Sequence, residues 1–213
     1  MSKDPFQSLR YPEFRNYIIA RFFFILVLNM QATIISWKVY DLTKDPFSIG
    51  LIGLVEFVPA FFMAFYSGHV IDRSDKRNLL FKSVTGNFVL TAVLCFFTSA
   101  YAITAFPQTW LLLVIYFVIF CTGILRSFSG PTSFALVSQL VPRDQLANAT
   151  LWHSGSWQVG AVAGPALAGI LYAFIGITYT FYLMILLMGI AITGLVFIKP
   201  KPFTGQRRQE KII

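Results

Sequence analysis

Apolar residues in this chain come in long, nearly unbroken runs rather than in strict alternation. Six runs stand out, at residues 17–38, 48–70, 79–101, 110–131, 150–173 and 179–198. A helix that crosses a bilayer needs about 20 predominantly apolar residues, and each run supplies that many. The segments between them are short, and Pro46, Pro107 and Pro142 mark three of them. The pattern predicts an all-α membrane protein with six transmembrane helices over 17–198. A cytoplasmic N-terminal segment (1–16) precedes them and a cytoplasmic basic tail (199–213) follows.

Composition agrees. The chain is 56% hydrophobic and only 12% charged, with a mean hydropathy of +0.68. A soluble domain carries about twice that charge fraction. The net charge of +8 would by itself suggest a nucleic-acid partner, but the basic residues fall where membrane topology puts them. With six spans both termini share a side. If that side is the cytoplasm, Lys3, Arg10, Arg15, Arg73, Lys76, Arg77, Lys82, Arg143 and the basic residues of the tail all lie there. Only Lys38 and Lys44 lie near the outer face. This asymmetry is the positive-inside rule, and it sets the expected orientation; no nucleic-acid partner is expected. Cys95 and Cys121 sit inside apolar runs and read as small hydrophobes. The first 16 residues carry five charged side chains and the run after them is too long for a signal h-region, so the first helix is expected to stay in place.

Polar side chains inside the runs are the candidate chemistry, because each is costly in hydrocarbon. In the first run Arg21, Asn29, Thr33 and Ser36 fall on one stripe at helical spacing, with Arg21 near the cytoplasmic end of the run, where snorkelling to the lipid headgroups is the other reading. Gln31 lies off that stripe and is expected to bond a neighbouring helix. The second run carries Glu56, with Pro59 nearly a turn away and the small residues Gly53, Ala60, Ala64, Ser67 and Gly68 on a similar side, expected to admit another helix closely. A carboxyl in a low-dielectric setting tends to hold its proton, which suits a proton carrier; a hydrogen-bonded structural carboxyl is the other reading. The third run, with Thr85, Gly86 and Asn87, reads as packing. The fourth carries Arg126, for which Asp72 is a candidate ion-pair partner. The fifth carries His153 and Ser156, and Gly160 and Gly164 at GxxxG spacing, a helix-contact face. Asn148-Ala149-Thr150 fits a glycosylation acceptor but lies on the cytoplasmic side in this topology and reads as chance. No Ser-His-Asp, phosphate-loop or metal-ligand spacing appears, so neither an enzyme nor a cofactor is expected.

Between the second and third runs stands Gly68-His69-Val70-Ile71-Asp72-Arg73-Ser74-Asp75-Lys76-Arg77. This decapeptide resembles motif A of the major facilitator superfamily, G-x-x-x-D-R-x-G-R-R. Gly68, Asp72, Arg73 and Arg77 match, and Asp75 stands where the pattern has Gly. Arg126-x-x-x-Gly130 resembles motif B, and Gly160-x-x-x-Gly164-Pro165 resembles motif C, which marks antiporters. The segment 141–149 is similar to the loop between helices 4 and 5 in the macrolide and siderophore exporters of bacteria. The resemblance covers about residues 11–202.

It implies one six-helix half of a major facilitator fold, built of two inverted three-helix repeats. It implies a multi-pass protein of the bacterial inner membrane that exports a small amphipathic compound by proton-coupled alternating access. Glu56, Asn29 and Arg126 would line the proton and substrate path, and Gly68, Asp72, Arg73 and Arg77 would form a cytoplasmic latch. The implied partners are membrane lipid, protons, the small-molecule substrate and a second six-helix half, either a C-terminal half or another copy. Lysolipid transport, a non-transporting assembly or regulatory protein, and an inactive remnant stay open.

Overall fold

A proline starts the first long helix. The computed structural model describes residues 5–199, and in it α1 (Pro12–Thr43) opens on Pro12, where the missing N–H costs no intrahelical bond. It is followed by α2 (Phe47–Arg73), α3 (Lys76–Phe97), the short α4 (Ala100–Ala105), α5 (Gln108–Leu140) and α6 (Leu146–Val196). The described residues contain no strand. Among the described residues five helices, α1, α2, α3, α5 and the long α6, are long and apolar enough to cross a membrane. The predicted tail beyond Lys199, including Lys201, Arg207, Arg208 and Lys211, lies outside the described residues, as does Lys3.

The elements depart from the predicted spans in three places. The run at 79–101 is broken at Thr98 and Ser99. The Thr98 hydroxyl bonds back to the carbonyl of Leu94 at 2.6 Å, and the Ser99 hydroxyl accepts from the N–H of Ala102, starting α4 as its N-cap. The run ending at Pro131 instead continues to Leu140. Pro131 removes one backbone bond, yet Leu136, Val137 and Leu140 beyond it are buried and hold the last turns in register. The runs at 150–173 and 179–198 need no loop between them. They meet at Gly176, whose φ of 75° and ψ of 175° are open to glycine and strained for other residues.

The chain folds back at that point. Tyr172 lies with its ring 5.9 Å from that of Trp37, near the end of α1, whereas a Cβ on Gly194 would stand 2.9 Å from the Cβ of Ala20, near its start. The first arm of α6 therefore runs parallel to α1 and the second returns along it. The GxxxG pair is where the first arm touches α1. A Cβ on Gly160 would meet Ile25 at 2.8 Å, and one on Gly164 would meet Asn29 at 2.7 Å and the Leu26 carbonyl at 3.0 Å. Close backbone approach through small residues is how helices associate where no water drives them together. The core between α1, α5 and α6 is filled by Phe14, Tyr17, Met30, Phe181 and Met184, all fully buried.

The outer surface is inverted relative to a soluble protein. Phe57, Phe61 and Phe65 stand one turn apart on α2 with ring centroids 5.7 and 5.3 Å apart, and all three are exposed. In a bilayer such a face costs nothing, because lipid is as apolar as the side chains. At the end of the bundle where α6 begins, Asn148 is committed to the protein. Its side-chain N–H donates to the carbonyl of Pro5 at 2.9 Å, and its oxygen accepts from the backbone N–H of Ser8 at 3.1 Å.

Candidate functional site

Glycine brings the two charged helices together. Gly123 on α5 has no side chain, and a Cβ there would fall onto the backbone carbonyl of Glu56 on α2 and within 3.0 Å of Pro59. With the two backbones in contact, Arg126, one turn beyond Gly123, reaches Glu56 across the interface. Its Nη1 lies 2.6 Å from Glu56 Oε1. The partner of Arg126 is thus Glu56, not Asp72: helical reach carries the guanidinium sideways to α2 rather than along the bundle to its end. The pair is only partly enclosed, with the Glu56 side chain 24% and that of Arg126 53% exposed. The small-residue stripe of α2 does not supply this contact. A Cβ on Gly53 or Gly68 would meet nothing within 4 Å, so at these two glycines no close approach is made; on the α5 side of the pair it is made by Gly123.

The pair borders a cavity of about 180 Å³. Arg21 and Asn29 of α1 and Trp157 of α6 share its wall with Glu56 and Arg126. Asn29 turns its amide to its own helix, donating to the Ile25 carbonyl at 2.8 Å, and Thr33 and Ser36 bond back one turn in the same way. Gln31 makes the expected contact with another helix: its side-chain oxygen accepts from the Thr91 hydroxyl at 2.7 Å. Thr122, also on the wall, has a buried hydroxyl with no hydrogen-bond partner among the described residues.

Arg21 is held at one end of the cavity by a cluster the sequence did not single out. Its Nη1 donates to the Ser133 hydroxyl and its Nε to the backbone carbonyl of His153 at 3.5 Å. The Tyr17 hydroxyl donates to the Ser133 carbonyl at 2.7 Å and lies 3.0 Å from His153 Nδ1. Tyr17, Ser133 and His153 are buried. His153 is a satisfied member of this network, and Arg21 points into protein rather than to a lipid headgroup. One signal was available: Tyr17 and Arg21 are one turn apart on one helix. Ser133 carried none, since it falls beyond the predicted end of its helix.

A family profile described as transmembrane secretion effector matches residues 3–213. The chain belongs to that family of the major facilitator superfamily. It is also 27% identical over 139 residues to the "Staphyloferrin A transporter" of Staphylococcus aureus (strain NCTC 8325 / PS 47). That alignment covers 65% of this chain and 34% of the relative, so the chain spans about a third of the relative's length. Membership makes this a multi-pass membrane protein of a transporter family, not an enzyme.

For a major facilitator protein the charged turn between α2 and α3 is of interest, and its residues are not drawn together in this structure. Arg77 extends to α6, where Nη2 donates to the Val196 carbonyl at 3.0 Å and so caps a helix C-terminus. Asp72 and Arg73 are exposed, and neither has an ion-pair partner among the described residues. Asp75, which departs from the motif, is the N-cap of α3: its carboxylate accepts from the backbone N–H of Arg77 at 2.9 Å and of Asn78 at 3.3 Å. Pro165, following Gly164, lies on the exposed face of the first arm of α6.

Proposed function

We propose that this protein is a secondary active transporter that exports a small amphipathic compound, of drug, macrolide or siderophore type, by proton-coupled alternating access. The observation that carries the reading is the Glu56–Arg126 pair, partly open on a cavity between membrane helices of a transporter-family chain. In that reading Glu56 is the proton carrier. Protonation removes its charge and weakens the tie to Arg126, and the α2–α5 contact is then free to rearrange. Asn29 and Arg126 line the path. The siderophore named for the relative supports a solute of that class.

The fold in this reading is one half of a major facilitator transporter. The two arms of α6 count as separate spans, so six spans form two inverted three-helix repeats, with both termini in the cytoplasm of the bacterial inner membrane. A second six-helix half closes the cavity. The open space at Gly68 and the exposure of Asp72 and Arg73 support a latch whose counterpart stands on that second half. Gly160, Gly164 and Pro165 form the antiporter-like motif, its two glycines on the α1 contact and its proline on the exposed face.

The test is export from proteoliposomes under an imposed proton gradient, with erythromycin as macrolide probe and staphyloferrin A as siderophore probe. Glu56→Gln is expected to abolish gradient-dependent export and Glu56→Asp to retain part of it. Undiminished export by the Gln variant would overturn the carrier role.

A further inference from the structure

The three ionisable side chains on the cavity wall are Arg21, Glu56 and Arg126: two guanidiniums against one carboxylate. Glu56 meets only Nη1 of Arg126. The guanidinium is a fork of five donors, and among the described residues the rest of this fork has no hydrogen-bond or ion-pair partner. Arg21 spends its donors on neutral oxygens, the Ser133 hydroxyl and the His153 carbonyl, so among the described residues its charge meets no anion. The wall therefore carries one net positive charge, which is costly inside a membrane protein; a solute anion would offset it, and the donors left unused to receive it are those of Arg126. The rest of the wall combines apolar and aromatic side chains, among them Phe24, Ile52, Ile119 and Trp157, with the polar Asn29, Gln31, Thr122 and Ser129.

We infer that the solute taken by this cavity is an amphipathic anion, its carboxylate held on the free edge of Arg126 and its apolar body against Trp157. The inference rests on the proposed transport role of the cavity only for the word solute. It names what binds, not which way protons move. Glu56 orients Arg126 through Nη1 and at the same time competes with the solute for the guanidinium. A matched pair of probes separates charge from shape: 2-naphthoate and 2-naphthylmethylammonium share one aromatic body and differ in sign.

Binding of each to the full chain in phosphatidylcholine nanodiscs is measured by titration calorimetry against empty discs. With one hydrogen bond to a charged group at stake, naphthoate is expected to bind roughly tenfold tighter or more. Arg126→Gln should remove that preference and Arg126→Lys keep part of it, since a point charge replaces a fork. Glu56→Gln, which leaves Arg126 without its competitor, should hold naphthoate at least as tightly as the parent. Equal or tighter binding of the ammonium probe, no binding of either, or weaker naphthoate binding in Glu56→Gln would overturn the inference. The two readings fail separately. Glu56→Gln losing export while gaining naphthoate affinity supports both, and export with a cation preference removes only this one.

Discussion

Asp75 illustrates how a local rule decides a residue that a motif does not explain. Its backbone is extended, at φ −64° and ψ 114°, and its carboxylate closes the first turn of α3. A carboxylate there also meets the favourable end of the helix dipole. Replacing an N-cap by Ala costs about 1 kcal/mol, so Asp75→Ala is expected to lower the thermal midpoint of the purified protein. Asp75→Asn, which keeps the acceptor, should stay near the parent, and an unchanged midpoint for the Ala variant would show that the cap is not needed. Tyr17 presents a second case. Its hydroxyl serves both Ser133 and His153 in a buried network, and Tyr17→Phe leaves those groups short of a partner, at about 1–3 kcal/mol. Thermal unfolding checks this too, with Tyr11→Phe, at an exposed tyrosine, as the control. At this scale the sequence was legible where chemistry is rare: Glu56, Asn29 and Arg126 stand out because hydrocarbon makes them costly. The sequence did not reveal that Arg126 would choose Glu56 over Asp72. That choice depends on how far α5 is rotated against α2.

Helix contacts here are decided by single small residues. At Gly164 the α1 backbone leaves no room for a side chain, and at Gly123 the Glu56 carbonyl fills the same space. Gly164→Leu is therefore expected to force α1 and the first arm of α6 apart and lower the yield of folded protein, while Gly68→Leu, with open space around it, leaves the fold of the chain intact. Size-exclusion profiles and helical circular dichroism of the two variants check the contrast; equal behaviour would mean that the contact at Gly164 is soft. Gly176 holds α6 together by conformation instead. With φ at 75° it lies where a Cβ is strained, and Gly176→Ala should cost roughly 1–3 kcal/mol. The GxxxG face was legible because its spacing is a local code. Gly53 and Gly68 of α2 followed the same spacing without making a close contact, since spacing tells that a helix is able to approach, not which one does.

At the level of the molecule, α1 lies against both arms of α6, α5 bridges α2 and α3, and the charged pair looks into the space between. One copy has a mass of 24.0 kDa. If another copy serves as the second half, export activity should follow a species of two copies, and a single-copy fraction should bind probes without moving them. Light scattering that separates protein from micelle, run on the fractions assayed for transport, tests this; transport by a single-copy fraction would refute it. Orientation is checked by labelling in intact cells on a background of Cys95→Ala and Cys121→Ala. Asp45→Cys should react with an impermeant maleimide from outside, and Ser74→Cys only after permeabilisation. The reverse pattern would invert the proposed topology.

The division between what was written locally and what was not has a physical basis. Run length, charge asymmetry and the costly polar residues are one-dimensional properties, because the bilayer acts on each segment separately. They determined an all-helical membrane protein and its candidate residues, while the superfamily followed from the resemblance of residues 68–77 to motif A and from the family profile. Tertiary structure decided the rest. It continued α5 past Pro131 through buried contacts beyond the proline, and it reduced the turn between the last two runs to Gly176. It joined Glu56 to Arg126 through the bare backbone of Gly123, and it turned Arg21 inward onto Ser133. Each of these depends on which faces meet, and that is settled by the packing of several helices at once, which no single stretch of sequence contains.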